Sequence, residues 1–231
     1  VYRPELGSRF AVIPRHGKAE DVRWFKAEPC YIYHVVNSWE EGDEVIMVAH
    51  KVAKPVANSD ESTASEFERM LQNLQMNAEL WEWRFNLQTG ETAERCLDTV
   101  NAEFPTTNPR DQGYPTRYGY AVTIGPLPTL RFDGIRKYDF ASGEHQEVRF
   151  GPGIYGSESP FAPSTVATAE DQGYLLSFVQ DELNERSELW IYDARNLQAG
   201  PCTRLAIPQR VPLGFHACWV EGKDLKAKAP A

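Results

Sequence analysis

The sequence predicts an all-β fold made of repeated four-stranded units, and three observations lead to this prediction. Short runs rich in β-branched and aromatic residues alternate with turn clusters, and the chain holds 16 Pro and 16 Gly. Helix-like spacing of apolar residues occurs in one segment, residues 62–75. One hairpin design also recurs at a near-constant interval, which is typical of proteins built from internal repeats.

The predicted elements are mainly short strands. The β-rich runs are 31–36, 45–49, 118–124, 174–179 and 189–192. The one predicted helix, 62–75, places Phe67, Leu71 and Leu74 on one face. The acidic residues around it are predicted to form a solvated helix face: Asp60, Glu61, Glu66 and Glu68.

Three hairpins share an aromatic strand, an Asn or Asp residue, a tight turn with Gly and a polar return strand. Their markers Asn86, Asp139 and Asp193 lie 53 and 54 residues apart. The tetrapeptide Asp-Gln-Gly-Tyr also recurs 60 residues apart, at 111–114 and 171–174. Four-stranded units of about 40–50 residues are typical of β-propeller blades. We therefore expect about three whole blades and parts of two others, because propellers close with about 4–8 blades.

Composition narrows the class of protein. A chain of 231 residues with 42% apolar residues is long enough for one large domain or two small ones. No apolar run reaches the roughly 18 residues that a membrane-spanning helix needs. The net charge of -9 repels phosphate backbones, so we expect no nucleic-acid partner. The four widely spaced cysteines indicate neither a zinc site nor a disulfide framework, and we expect them to be reduced and mostly buried.

Four polar residues with apolar neighbours are the candidate site residues: His34, Glu103, Glu158 and His216. Their spacings of 69, 55 and 58 residues correspond to roughly one residue per blade, and we expect them on the first strand of each unit, against the propeller axis. A buried glutamate needs a partner, and the Nδ1–H of a metal-binding histidine is a suitable one. Imidazole ligands suit iron, zinc or copper. The alternative is that the histidines are ordinary core residues and the glutamates lie on the surface.

The sequence resembles the carotenoid cleavage oxygenases over nearly its whole length up to Val220. The motifs that carry the resemblance are SRFAVIPR at 8–15, RWF at 23–25, HVVNSWEEG at 34–42, EFP at 103–105, ESPFAP at 158–163, DQGYLLS at 171–177 and GFH at 214–216. They occur in the family's order and at its spacing.

The resemblance implies a seven-bladed β-propeller with a non-haem ferrous iron on its axis, held by four histidines. His34 matches the third ligand position and His216 the fourth, while Glu103 and Glu158 match two of three glutamates that orient the ligands. In the family, the other two histidines and the third glutamate precede the position of Val1. We therefore expect residues 1–220 to be the C-terminal half of one propeller domain, inactive without the missing N-terminal half, with a flexible tail at 221–231.

The resemblance also implies a function: cleavage of a conjugated C=C bond of a carotenoid or apocarotenoid with O2, giving two carbonyl products. A stilbene-cleaving (lignostilbene-type) dioxygenase and a non-catalytic propeller that binds without metal remain open. The expected partners are an apolar polyene or stilbene and O2. We expect a cytoplasmic protein, and peripheral membrane contact for substrate uptake remains open.

Other residues have weaker signals. His16, His50 and His145 are interpreted as solvated or structural, because they lie in turns or at a strand end. The aromatic residues next to the candidate site could line an apolar cavity, but propeller cores are aromatic in any case: Trp39, Phe104, Phe161 and Phe215. The substrate-binding residues are therefore unknown from sequence.

Overall fold

The structure is a computed structural model that describes residues 3–54, 65, 76–126 and 129–225. The predicted helix at 62–75 and its acidic residues lie outside the described residues, apart from residue 65. The same holds for residues 226–231 of the predicted tail, whereas Gly222–Asp224 form a short 3-10 helix.

The described residues form strands joined by turns and short 3-10 helices, which confirms the all-β prediction. The strands are β1 (Ser8–Val12), β2 (Arg23–Ala27), β3 (Tyr31–Glu41), β4 (Glu44–Val52), β5 (Ala78–Asn86), β6 (Thr92–Asp98), β7 (Ala102–Thr106), β8 (Tyr118–Ile124), β9 (Phe132–Asp139), β10 (His145–Arg149), β11 (Ile154–Tyr155), β12 (Phe161–Pro163), β13 (Gly173–Asp181), β14 (Arg186–Asp193) and β15 (Pro201–Ile207).

The strands pair into antiparallel sheets with the construction of propeller blades. The first blade has the order β3-β4-β5-β6, and the second has the order β7-β8-β9-β10. In the third blade, β13, β14 and β15 follow one another, and both β11 and β12 pair with β13. Three blades are therefore present, as predicted. Of the two partial blades, the described residues show β1 and β2 as a two-stranded sheet, and they show no strand after Ile207.

The predicted hairpin turns have a clear physical basis. The side chain of Asn86 accepts hydrogen bonds from the backbone N–H groups of Gln88 and Thr89, and Gly90 closes the turn with φ +77°. This φ is in the left-handed region that glycine adopts without a steric cost. Asp139 and Gly143 repeat the arrangement in the second blade. The third turn is longer because the 3-10 helix Leu197–Ala199 precedes Gly200.

Side chains of one blade form hydrogen bonds with a loop of the next blade, and we call these contacts blade clasps. Asn37 of β3 donates to the carbonyls of Asp111 and Tyr114 and accepts from the N–H of Gly113. In the second blade, Asn108 donates to the carbonyl of Glu170 in the third. Each of the two Asp-Gln-Gly-Tyr segments thus forms, or directly follows, a loop that is hydrogen-bonded to an asparagine of the preceding blade.

The hydrophobic core lies mainly between neighbouring sheets. Val36 and Leu80 of the first blade pack against Tyr138 of the second. Tyr120 of the second blade packs against Phe161, with ring centroids 5.6 Å apart, in the cluster that joins it to the third blade. Burial of such aromatic side chains is the main favourable contribution to packing between blades.

Two further expectations have different outcomes. All four cysteines are free, as predicted, but the expectation that they are mostly buried is wrong: Cys30 is half-buried and Cys96, Cys202 and Cys218 are exposed. Cys96 lies on β6, Cys202 lies on β15 and Cys218 follows β15. At each of these positions one side of the chain faces solvent. Within the described ranges, no helix is long and apolar enough to cross a membrane.

Candidate metal centre

His34 lies on β3 at a β-bulge. Two residues of β3, Tyr33 and His34, oppose the single residue His50 of β4. A bulge adds local twist and re-aims the side chains of the bulged strand. The His34 side chain is 28% exposed.

Glu103 lies on β7, beside a second bulge, where Phe104 and Pro105 oppose the single residue Ala121. Its side chain is fully buried, and its Oε2 atom lies 2.7 Å from Nδ1 of His34. Burial raises the pKa of Glu103, while hydrogen bonds from the backbone N–H of Phe104 and from His34 act in the opposite direction. The other oxygen, Oε1, is buried without a hydrogen-bond partner among the described residues.

The second pair, His216 and Glu158, is built from loops. Oε2 of Glu158 lies 3.2 Å from Nδ1 of His216 and accepts a 2.6 Å hydrogen bond from the backbone N–H of Ala217. Neither residue lies on a strand, so the prediction that all four candidates occupy first strands is wrong for this pair and confirmed for His34 and Glu103. The apolar neighbours of His216 resemble a strand in sequence, yet the described chain from 208 to 221 pairs with no sheet.

The structure brings the two pairs together. The ring centroids of His34 and His216 lie 5.1 Å apart, and the rings are inclined by 78°. In both pairs Nδ1 faces a carboxylate, which accepts hydrogen bonds, so Nδ1 carries the hydrogen and Nε2 is the ring nitrogen left for another partner. A neutral imidazole with a free Nε2 is the form that binds a metal ion.

An aromatic ring lies against both imidazoles. The Phe104 ring lies 4.7 Å from the His34 ring and 5.3 Å from the His216 ring, and Phe215 stacks on Phe104 at 5.7 Å. Two other aromatic residues named from sequence lie elsewhere: Phe161 is in the core between the second and third blades, and Trp39 packs between the first and second.

The remaining histidines do not join the candidate centre as ligands in this arrangement. His16 and His145 are exposed. His50 is fully buried in β4, and neither ring nitrogen has a hydrogen-bond partner among the described residues. Burial lowers the pKa of His50 to about 3, so it is neutral. Sequence reasoning classed His50 as solvated or structural but gave no indication of this environment.

The donor set fits part of a metal site. No cluster of three or more His, Cys, Asp or Glu side chains that could hold a metal ion occurs within the described ranges. Two imidazoles that present Nε2 and are tied by Nδ1 to carboxylates are nevertheless the donors that suit a divalent transition metal. The chain can therefore contribute two ligands, and a complete site needs others.

The chain is similar to a family of known proteins. Residues 1–221 match the family described as retinal pigment epithelial membrane protein. The chain belongs to this family, which includes the carotenoid cleavage oxygenases. The resemblance inferred from the sequence motifs is thereby confirmed.

The chain spans less than half the length of its relatives. It is 34% identical to a carotenoid 9,10(9',10')-cleavage dioxygenase of Phaseolus vulgaris, matching 96% of this chain and 42% of that protein. A carotenoid cleavage oxygenase of Mycobacterium tuberculosis is 31% identical, over 95% of this chain and 43% of the relative.

Solved structures agree on the fold. The lignostilbene dioxygenase of Pseudomonas brassicacearum has a TM-score of 0.82 and 26% identity, over 95% of this chain and 48% of that one. A variant of the Synechocystis apocarotenoid oxygenase has a TM-score of 0.76 and 24% identity, over 90% of this chain and 43% of that one. The fold is thus that of a β-propeller of which this chain forms about half.

Proposed function

We propose that the protein containing this chain is a non-haem iron(II) dioxygenase that cleaves a conjugated C=C bond of a carotenoid or apocarotenoid. The bond breaks, and each of its two carbons receives one oxygen atom of O2, giving two carbonyl products. The observation that carries the proposal is the pair of imidazoles, 5.1 Å apart, each tied to a carboxylate through Nδ1.

In this proposal, His34 and His216 hold the ferrous ion through Nε2, together with ligands from outside this chain. The ion, when bound, supplies the activation of O2 toward the double bond. Glu103 and Glu158 keep the hydrogen on Nδ1 and fix the orientation of each ring. The balanced reaction takes up no proton and releases none.

The aromatic residues beside the imidazoles suit an apolar substrate. Phe104 is buried and Phe215 is 52% exposed, so one stacked ring supports the site and the other offers a free face. An apolar surface next to the metal ligands excludes water and favours a polyene over a polar substrate. Uptake through peripheral contact with a membrane remains a prediction.

A stilbene-type substrate is the second candidate, favoured by the similarity to a lignostilbene dioxygenase. The two are separated by product analysis of the full-length protein with an apocarotenoid and, in parallel, a hydroxystilbene. Aldehydes from the apocarotenoid alone support the first proposal, and aldehydes from the stilbene alone replace it with the second.

A non-catalytic propeller is the alternative from another class. Iron content after anaerobic purification and O2 consumption with substrate test it directly. Stoichiometric iron and substrate-dependent O2 uptake support the dioxygenase, whereas an iron-free, inert protein would support a binding module. We expect residues 1–231 alone to consume no O2, because two imidazoles hold a ferrous ion weakly. Turnover by this segment comparable to that of the full-length protein would contradict the ligand assignment.

A further inference from the structure

Phe104 has an unusual combination of backbone and side-chain features. It is 5% exposed and has φ +51°, one of two positive values found among non-glycine residues in the described ranges. Pro105 follows it, and a residue before proline normally adopts an extended backbone with negative φ. A bulky residue in the left-handed region costs free energy, and such conformations persist where the surrounding structure imposes them.

The backbone N–H of Phe104 has a definite partner. It donates to Oε2 of the preceding residue, Glu103. The same oxygen accepts from Nδ1 of His34. The carboxylate oxygen that orients His34 is therefore held by the backbone of Phe104.

The ring of Phe104 acts on both histidines. It lies against His34 and His216, at centroid distances of 4.7 and 5.3 Å. On its other sides it meets Phe132, at 5.1 Å and edge-on, and Phe215, stacked at 5.7 Å. The Phe104 ring is thus packed with both imidazoles and with two other phenylalanine rings.

We propose that Phe104 is the positioning residue shared by both candidate ligands, with its backbone N–H fixing the Glu103 carboxylate and its ring fixing the separation of His34 and His216. It acts through other groups and takes no part in bond making. Its action explains how a strand residue and a loop residue from distant parts of the chain keep a defined separation. The inference rests on the proposed function in so far as the two histidines bind metal.

The test uses the full-length protein, freed of metal and titrated with Co(II), whose absorption spectrum reports ligand geometry. We expect Phe104→Leu to lower Co(II) affinity by roughly 10- to 100-fold, the range seen when partners of metal ligands are lost, and to alter the visible spectrum. Phe85→Leu is the matched control, because Phe85 is 2% exposed and packs with Phe10 and Phe25, away from the histidines. We expect it to lower stability but to leave affinity and spectrum unchanged.

The outcomes separate this inference from the proposed function. His34→Ala with wild-type Co(II) affinity would overturn the metal site itself. Loss of binding in His34→Ala, together with unchanged affinity and spectrum in Phe104→Leu, would overturn the role of Phe104 alone. If Phe104→Leu does not fold, Phe104→Met, which fills space flexibly, provides the same two readouts.

Discussion

The two histidine–glutamate pairs perform the same local chemistry on different supports. His34 and Glu103 lie on the first strands of two adjacent blades, at or beside bulges, and the glutamate is fully buried. His216 and Glu158 lie in loops, and the His216 side chain is 67% exposed. In both pairs one carboxylate oxygen accepts from an imidazole Nδ1 and from a backbone N–H.

The difference shows that the hydrogen-bond pattern, rather than the secondary structure, is what the two pairs share. The strand-held pair is fixed by sheet register and burial. The loop-held pair depends on the Ala217 N–H and on the Phe104 ring. Changes at the buried pair should therefore have larger effects, since water can replace a lost partner only at the exposed pair.

The largest expected effect comes from removal of a candidate ligand. In the full-length protein, His34→Ala and His216→Ala should each abolish stoichiometric iron binding and activity, because each substitution removes one imidazole nitrogen that binds the iron. Iron is measured after anaerobic preparation. Wild-type iron content in either variant would remove that histidine from the ligand set.

Replacement of each glutamate should separate the two pairs. We expect Glu103→Gln and Glu158→Gln to lower iron affinity by roughly 10- to 100-fold, with Glu103→Gln at the upper end because its carboxylate is fully buried. Metal titration of both variants checks this, with circular dichroism as the control for folding. Equal losses would show that burial does not distinguish the pairs, and no loss would return that glutamate to a purely structural role.

His50 should make the stability of the folded chain sensitive to pH. Its pKa of about 3 in the folded chain lies below the value of about 6.5 expected after unfolding. Between these values the unfolded state binds a proton that the folded state does not, so stability falls as pH falls. At pH 5 the contribution of His50 is a loss of about 2 kcal/mol relative to neutral pH.

Denaturant unfolding of the full-length protein between pH 7.5 and 5 measures this loss. His50→Leu should remove this loss, because leucine does not titrate. The substitution also eliminates two buried nitrogens that lack partners among the described residues. His16→Gln is the control at an exposed position and should retain the full pH dependence. If the free energy of unfolding of His50→Leu falls with pH as steeply as that of the unsubstituted protein, the low pKa of His50 is contradicted.

The smallest expected effect concerns the backbone of Phe104. Phe104→Gly should have a free energy of unfolding about 1 kcal/mol above that of Phe104→Ala, because only glycine adopts φ +51° without steric cost. At Phe85, inside strand β5, the order should be reversed, since glycine is the less stable residue in a strand. If the glycine variant is less stable than the alanine variant at both positions, the backbone of Phe104 is not strained.

Sequence reasoning identified the blade pattern because its signals are local. Asn86 with Gly90 and Asp139 with Gly143 specify turns through contacts within a few residues. The four candidate site residues were also named from sequence, and the structure brings them together. Their role in binding metal stays a prediction.

The supports of the site were less predictable, because they depend on distant contacts. The run around His216 has apolar residues but no strand partner among the described residues, so its pattern did not specify a sheet. Phe104 precedes Pro105, which locally favours an extended backbone, yet the bulge opposite Ala121 imposes a left-handed one. Tertiary structure overrides local preference at this position.

The blade clasps give the row of sheets a direction. Asn37 reaches from the first blade to the second, and Asn108 reaches from the second to the third. Each blade thus presents two unlike faces, as subunits do in a head-to-tail assembly. A contact of this kind has no built-in stopping point, and the row ends in a closed ring only if the rotation per unit divides the circle. The asparagines that hold two blades together therefore also fix which face of one blade meets which face of the next.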